Sequence, residues 1–560
     1  MTAPATSTTS ADSRPLRRRH APLLQVAVVL FSAAVAAPIL AIVWLAAAGG
    51  TADLAHVAGT VLPRALMRTA VLLVLISLAT AVTGILAAWL TIAFDFPFRR
   101  ILAVALVLPL AMPTYLAAYA AGEFFDYTGP LQSAVRALFG FTKPSEYWFP
   151  DIRSVGGATL VMGSVLYPYV YLACRSMFLL QGRSAADVAR TLGASPLSVF
   201  LKVQLPMARP AIVAGLTLVM METLNDIGAV EYLGVNTLTF SIYDTWLNRG
   251  SLSGAAQIAC VMLIIVVLLV VTERWARRSQ RFSGAKTTHA VHDAARVRLP
   301  GATRWLATLF CLAPVAAGFL IPVFVLGGYA VKRLDALFTA RVAEALGNTV
   351  VVGAITAVIA VSLAFVIAYS ARVGRSRVTA FAARSAVLGY AVPGTVLAIG
   401  VLIPLASLDN ALTSFLKSSF GWSPGLFLSG TVFAIVYALT ARFLTMAEGT
   451  VDAGFHKLPL SLDHAARTLG RTGPQTVRSI LIPVMRPAVL TAGLLVFIET
   501  IKELSATILL RPFNFNTLAT LVYEDASRSQ VPDAAVPALI IVLAGLIPVV
   551  IVSRSLDRGQ

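Results

Sequence analysis

A chain of 560 residues that is 58% apolar and only 12% charged carries about half the charged fraction usual in a soluble protein. Apolar runs of about 20 residues recur along it, each long enough to cross a bilayer as a helix, so lipid is the solvent for most of the surface. The net charge of +18 would point to nucleic acid in a soluble protein, but the bases gather in alternate loops, which excludes that partner and indicates a membrane topology.

In chain order, residues 1–22 read as a disordered, basic, cytoplasmic N-terminus, Ser/Thr/Ala-rich and then studded with Arg14, Arg17, Arg18 and Arg19. The apolar run that follows is too long for the core of a signal peptide and reads as an uncleaved first helix. Six spans are expected near 23–48, 66–94, 101–122, 156–180, 210–232 and 254–274. Six more are expected near 304–330, 348–370, 383–405, 427–446, 486–510 and 534–553. Residues 23–275 then form one six-helix half and 304–560 another, joined by a polar, basic cytoplasmic linker over 276–303. The bases from Arg99 to Arg100, Arg175 to Arg209, Arg274 to Arg304, Arg372 to Arg384 and Lys457 to Arg486 fall on one side. Most loose acids, among them Glu123, Asp126, Glu146, Asp151, Glu524, Asp525 and Asp533, fall on the other. That bias places both termini in the cytoplasm of a bacterial inner membrane. Cys174, Cys260 and Cys311 are odd in number and lie in apolar segments, so they read as packing residues.

The halves repeat one another. VARTLG at 188–193 recurs as AARTLG at 465–470, an offset of 277 that also carries Pro206 to Pro483, Pro210 to Pro487 and Glu222 to Glu499. After a three-residue insertion, Asn236-Thr237-Leu238 recurs as Asn516-Thr517-Leu518 and Tyr243-Asp244 as Tyr523-Glu524. Upstream, Thr69 matches Thr349 and Pro113 matches Pro393. Both halves start on the same side, so the expected fold is all-α, about twelve transmembrane helices in two parallel six-helix repeats around an axis along the membrane normal.

Between spans 4 and 5 of each half lies a polar loop of common design. A helix-forming stretch meets a turn glycine, Gly193 or Gly470, then a short amphipathic stretch that Pro206 or Pro483 is expected to end. Pro210 and Pro487 suit the first turn of the next membrane helix. The result is a helix–turn–helix elbow that a soluble partner could grasp. These residues resemble the coupling (EAA) loop of ABC importer permeases, as Asp187-Val188-Ala189, Gly193 and Leu205-Pro206 in one copy and His464-Ala465-Ala466, Gly470 and Ile482-Pro483 in the other. The resemblance implies the type I importer permease fold, with each elbow docked in a cytoplasmic ABC ATPase, two copies of it, and a periplasmic substrate-binding protein delivering solute. His464 stands where the other copy has Asp187, so unequal docking is expected. No Gly-x4-Gly-Lys-Ser/Thr occurs, so ATP and Mg belong to the partner ATPase; this chain is not expected to be an enzyme or to bind a cofactor of its own.

From about residue 60 to 550 the chain is similar to fused permeases of ferric-iron importers, most clearly over 221–246 and 499–525. Permeases for thiamine, polyamine and phosphonate-type solutes are relatives of that group. Glu222 with Asp226, and Glu499 with Glu503, are spaced i, i+4 and should share a helix face near the bilayer midplane, where acids usually face an aqueous path. Up to four such oxygen donors around a path would suit a hard cation, though none is assigned as a metal ligand. The competing readings are that Lys502 neutralises Glu499 or Glu503, and that the acids cap helix breaks or pair with a neighbouring helix. Tyr115, Tyr119, Tyr167, Tyr169 and Tyr171 either line the path or anchor at the interface. His289 and His292 make a weak metal signal in the linker. A proton-coupled carrier would also have twelve spans but leaves the paired elbows unexplained, and no acid–base or nucleophile constellation supports a membrane enzyme.

Overall fold

The structure is a computed structural model. It describes residues 21–50, 57–179, 193–278, 296–373, 392–422, 425–459 and 461–557, with positions 55 and 389. The N-terminal stretch before residue 21, most of the linker with His289 and His292, and Asp187, Val188 and Ala189 lie outside the described residues.

The first half comprises α1 (Ala21–Ala48), α2 (Val57–Ala93), α3 (Arg99–Ala105), α4 (Thr114–Phe125), α5 (Pro130–Phe139), α6 (Val155–Met177), α7 (Pro196–Asn225), α8 (Gly228–Tyr232), α9 (Leu238–Tyr243) and α10 (Leu252–Arg278). The second comprises α11 (Gly301–Lys332), α12 (Ala340–Val373), α13 (Gly394–Phe420), α14 (Val432–His456), α15 (Ser461–Thr468), α16 (Gly473–Ile501), α17 (Thr507–Leu510), α18 (Leu518–Ser527) and α19 (Val531–Asp557). Eleven of the described helices are long and apolar enough to cross a membrane, and the bent pair Arg99–Ala111 and Thr114–Phe139, angled at 99°, makes the twelfth. The chain is an all-α polytopic membrane protein. Its only strand pairing among the described residues is a parallel two-residue contact of Phe94–Asp95 with Val297–Arg298, so the end of the expected linker is tied down rather than structureless.

The third and ninth spans depart from the hydropathy reading, and proline is the reason in both; the fifth and eleventh start and end earlier than expected, at Pro196–Asn225 and Gly473–Ile501. The third is not one helix over 101–122. Pro113 forces Met112 into extended backbone (φ −96°, ψ 110°), and a new helix starts at Thr114. The ninth runs on to Phe420 instead of ending at 405, and this helix starts at Gly394 after Pro393 as α4 starts after Pro113. It continues through polar sequence past residue 405 because Asp409 is fully buried there and accepts hydrogen bonds from the backbone N–H groups of Phe427, Leu428 and Ser429.

Each half's first helix packs on both halves. α1 lies against α13 of the other half and α10 of its own, and α11 lies against α4 of the other half and α19 of its own. This exchange of outer helices locks the two repeats together around a shared centre. The repeat holds at the level of single atoms: Thr69 Oγ1 accepts from Leu238 N at 2.9 Å, and Thr349 Oγ1 accepts from Leu518 N at 2.8 Å. The acids read as loose on the side away from the elbows are partly paired. Asp525 meets Arg341 at 2.8 Å, Glu524 meets Arg511 at 2.6 Å, and Asp533 meets Arg333.

Candidate functional site

The second elbow is fully formed. α15 ends at Thr468, Gly470 turns the chain with φ +77°, and Thr472 and Gln475 cap the start of α16 reciprocally. Gly193 has φ +85° at the same place in the first copy. A left-handed residue with a Cβ costs about 1–2 kcal/mol, so both turns require glycine. His464 and Ala465 are exposed, whereas Ala466 is buried against the rest of the elbow.

Pro206 and Pro483 do not end the amphipathic stretch, contrary to the sequence reading. Immediately before each proline the helix widens into a π-turn, Phe200–Gln204 and Val477–Leu481, where Leu205 N bonds Phe200 O and Ile482 N bonds Val477 O. The wide turn absorbs the clash and the missing donor that would break a regular helix. Pro210 and Pro487 consequently lie inside α7 and α16 rather than in their first turns. Each elbow is therefore continuous with its membrane helix, through Leu205-Pro206 or Ile482-Pro483, as one stiff rod.

The second elbow is clamped by Arg372 at the end of α12. Its Nε donates to Asp463 at 2.7 Å, and its Nη atoms donate to the carbonyls of Phe455, Leu458 and Pro459 at 3.0–3.1 Å. The first is packed on aromatics, with Trp89 stacked on Phe200 at 4.4 Å. Arg372→Lys cannot reproduce a fork that serves four acceptors. It is expected to speed hydrogen exchange over 461–472 about tenfold, the effect of about 1.4 kcal/mol, with little change in overall melting.

The rods α7 and α16 run from the elbows to a cavity of about 90 Å³ between the halves, lined by Glu222, Asp226, Glu499 and Glu503 together. The expected i, i+4 pairs on one helix face do not exist, because α7 stops at Asn225 and α16 at Ile501. Asp226 and Glu503 lie in the breaks and hold them. Asp226 Oδ1 accepts from Ala229 N at 2.8 Å and Oδ2 from the Thr114 hydroxyl. Glu503 accepts from Ala506 N at 2.8 Å and from Thr507 N at 3.1 Å, the equivalent bonds one repeat later. The cross-half bond from Gly394 N to Asn225 Oδ1, 2.7 Å, ties the first break to the start of α13.

The two sides of the cavity differ in charge. Glu503 forms a buried ion pair with Arg442 of α14 at 3.0 Å, and Glu499 pairs with Lys502 at 2.8 Å. The repeat puts Val165 opposite Arg442 and Asn225 opposite Lys502, so the first half brings acids without these bases. At least three of the four carboxylates are engaged by backbone, hydroxyl or base, the arrangement of the competing readings, and no three His, Cys, Asp or Glu among the described residues converge on a metal position. The sequence reading missed Arg442 altogether, although a lone arginine inside an apolar span was the available signal. It named Arg372 only as a loop base. Tyr115 and Tyr169 line the central cavity, while Tyr167 and Tyr171 are buried in the core, with Tyr171 Oη donating to Ala103 O at 2.9 Å. The three cysteines are free thiols, Cys174 and Cys311 buried and Cys260 half-buried.

Residues 80–282 and 360–559 each match the family described as binding-protein-dependent transport system inner membrane component. The chain belongs to this family. It is a multi-pass inner membrane component with the transport domain present twice, and membership implies a binding protein and an ATPase as partners. This binding-protein-dependent transport component is 26% identical over 501 residues to the Fe(3+)-transport system permease protein FbpB 2 of Haemophilus influenzae, covering 87% of this chain and 89% of that one. It is 24% identical over 494 residues to a probable ABC transporter permease protein, y4fN, of Sinorhizobium fredii, covering 83% of each. A probable sulfate transport system permease protein, cysT, of Nephroselmis olivacea is 27% identical over 213 residues, 37% of this chain and 71% of its own length.

Proposed function

We propose that this component moves ferric iron, delivered by a periplasmic binding protein, into the cytoplasm by alternating access, driven by two copies of a separate ATPase that grasp the elbows. Both termini then lie in the cytoplasm. The observation that carries the mechanism is the continuity of elbow and cavity wall. Each rod of about 30 residues spans roughly 45 Å, so a tilt imposed at Gly193 or Gly470 is delivered to Glu222, Asp226, Glu499 and Glu503 without a flexible joint. Asp187, Val188 and Ala189 complete the first grip, as His464, Ala465 and Ala466 complete the second.

Ferric iron is favoured over anionic solutes by the cavity, which is lined by four carboxylates against two bases. Similarity to a ferric-iron permease over nearly the whole chain supports the same reading, whereas the sulfate relative matches only part. In this picture the acids set the potential of the path, and the cation passes with its remaining ligands rather than settling in a tight cage.

The test is uptake of labelled solutes by cells lacking the gene. Ferric uptake is expected to fall and to return with the intact gene, while thiamine, polyamine, sulfate and phosphonate uptake stay unchanged. Loss of one of those solutes with normal iron uptake replaces iron and keeps the machine. Uptake that follows a proton gradient without ATP removes the ATP-driven reading.

A further inference from the structure

Beyond the central cavity, toward the end away from the elbows, lies a second cavity of about 200 Å³ lined by Tyr119, Glu231, Tyr232 and Tyr523. The wall between the two is thin. Tyr115 lines the central one, its ring 5.9 Å from that of Tyr119, and Gly228 borders both. A Cβ at Gly228 would lie 2.8 Å from both Tyr115 Cβ and Leu504 Cδ2, so only glycine lets this partition close.

Three features of the second cavity are not demanded by the fold. The Tyr119 hydroxyl is buried, on a residue only 2% exposed, and has no hydrogen-bond partner among the described residues. An unsatisfied hydroxyl in a core costs free energy that phenylalanine would not. The Tyr523 hydroxyl donates to Glu231 Oε2, a part-buried phenol–carboxylate pair linking the two halves. The repeat places Ile399 where Tyr119 stands and Ile508 where Glu231 stands, both buried, so two of the three oxygen donors have apolar counterparts, while Tyr523 has Tyr243. Arg153 also lines this cavity, with its guanidinium 5.1 Å from the Tyr232 ring centre.

We infer that Tyr119, Glu231 and Tyr523 form a transit site for ferric ion at the outer side of the central cavity; this rests on the ferric-iron reading above. Phenolate and carboxylate oxygens are hard donors matched to a hard trivalent cation. Each phenol that binds forms an Fe–O bond and gives its proton to water, with no change of iron oxidation state. Tyr119 and Glu231 come from the first half and Tyr523 from the second, so movement of one half against the other dismantles the ligand set. An ion is thereby released onward instead of being trapped.

The experiment uses the full permease with its ATPase in proteoliposomes and ferric nitrilotriacetate as the probe, reading visible phenolate-to-iron charge-transfer absorption without the binding protein and ATP-driven uptake with it. Wild type is expected to show the band. Tyr119→Phe and Tyr523→Phe should each weaken ferric binding by at least roughly tenfold and slow uptake, with normal protein yield. Tyr167→Phe, which removes another buried hydroxyl without a partner but away from this cavity, should behave as wild type. Normal ferric uptake without a band, or a band unchanged in Tyr119→Phe, overturns the site and leaves the ferric function standing. Absence of ferric uptake in wild type, with another solute carried, overturns both.

Discussion

Gly470→Pro is expected to abolish ATP-driven solute uptake while the protein reaches the membrane at its normal level and its ATPase partner keeps a basal turnover. Gly470 sits at φ +77°, and proline is confined near −65°, so the turn between α15 and α16 cannot form. The change is confined to the elbow, since a Cβ at Gly470 would meet nothing within 4 Å and the membrane helices are untouched. Gly470→Ala gives the graded control: the left-handed conformation then costs about 1–2 kcal/mol, enough to slow transport but not to remove the turn. Gly193→Pro should act alike at the other copy, where φ is +85°. Uptake and ATPase turnover in proteoliposomes measure the coupling directly. Wild-type uptake by both proline variants would remove the elbows from the mechanism.

Breaking the Arg442–Glu503 pair should give the largest loss of stability. Both side chains are almost fully buried, 6% and 3% exposed, and the carboxylate also organises the break between α16 and α17. Arg442→Met leaves that carboxylate without its cation, a loss of about 3–5 kcal/mol, read as lower yield and a lower melting temperature in detergent. Arg442→Met combined with Glu503→Gln should recover part of it, because the neutral side chain can still accept from Ala506 N with its one oxygen, although its NH2 cannot accept from Thr507 N. The first half already works this way, with Val165 in place of the arginine and the Thr114 hydroxyl serving Asp226. A single variant as stable as wild type would show that the pair is not structural.

What could be read from sequence was local. Apolar runs of membrane length, the 277-residue repeat and the two turn glycines each depend on a few neighbouring residues, and the structure has eleven helices of membrane length with one bent pair, paired halves and positive φ at Gly193 and Gly470 to match. Family membership was legible for the same reason, since it rests on short spaced motifs. The spacing of Glu222 with Asp226, by contrast, predicted a shared face only if the helix continued, and the break at Asn225 is held by Ala229 N, Thr114 and Gly394, the last from the other half. Pro206 and Pro483 read as stops because a regular helix has no room for them, and a π-turn supplied that room. The partners Arg442 and Arg372, the exchange of α1 and α11 between halves, and the union of Tyr119, Glu231 and Tyr523 in one cavity join residues tens to hundreds of positions apart. Hydropathy and spacing carry no information on such pairings. They are decided when packed helices bring otherwise unsatisfied polar groups within bonding distance, where lipid offers no alternative partner.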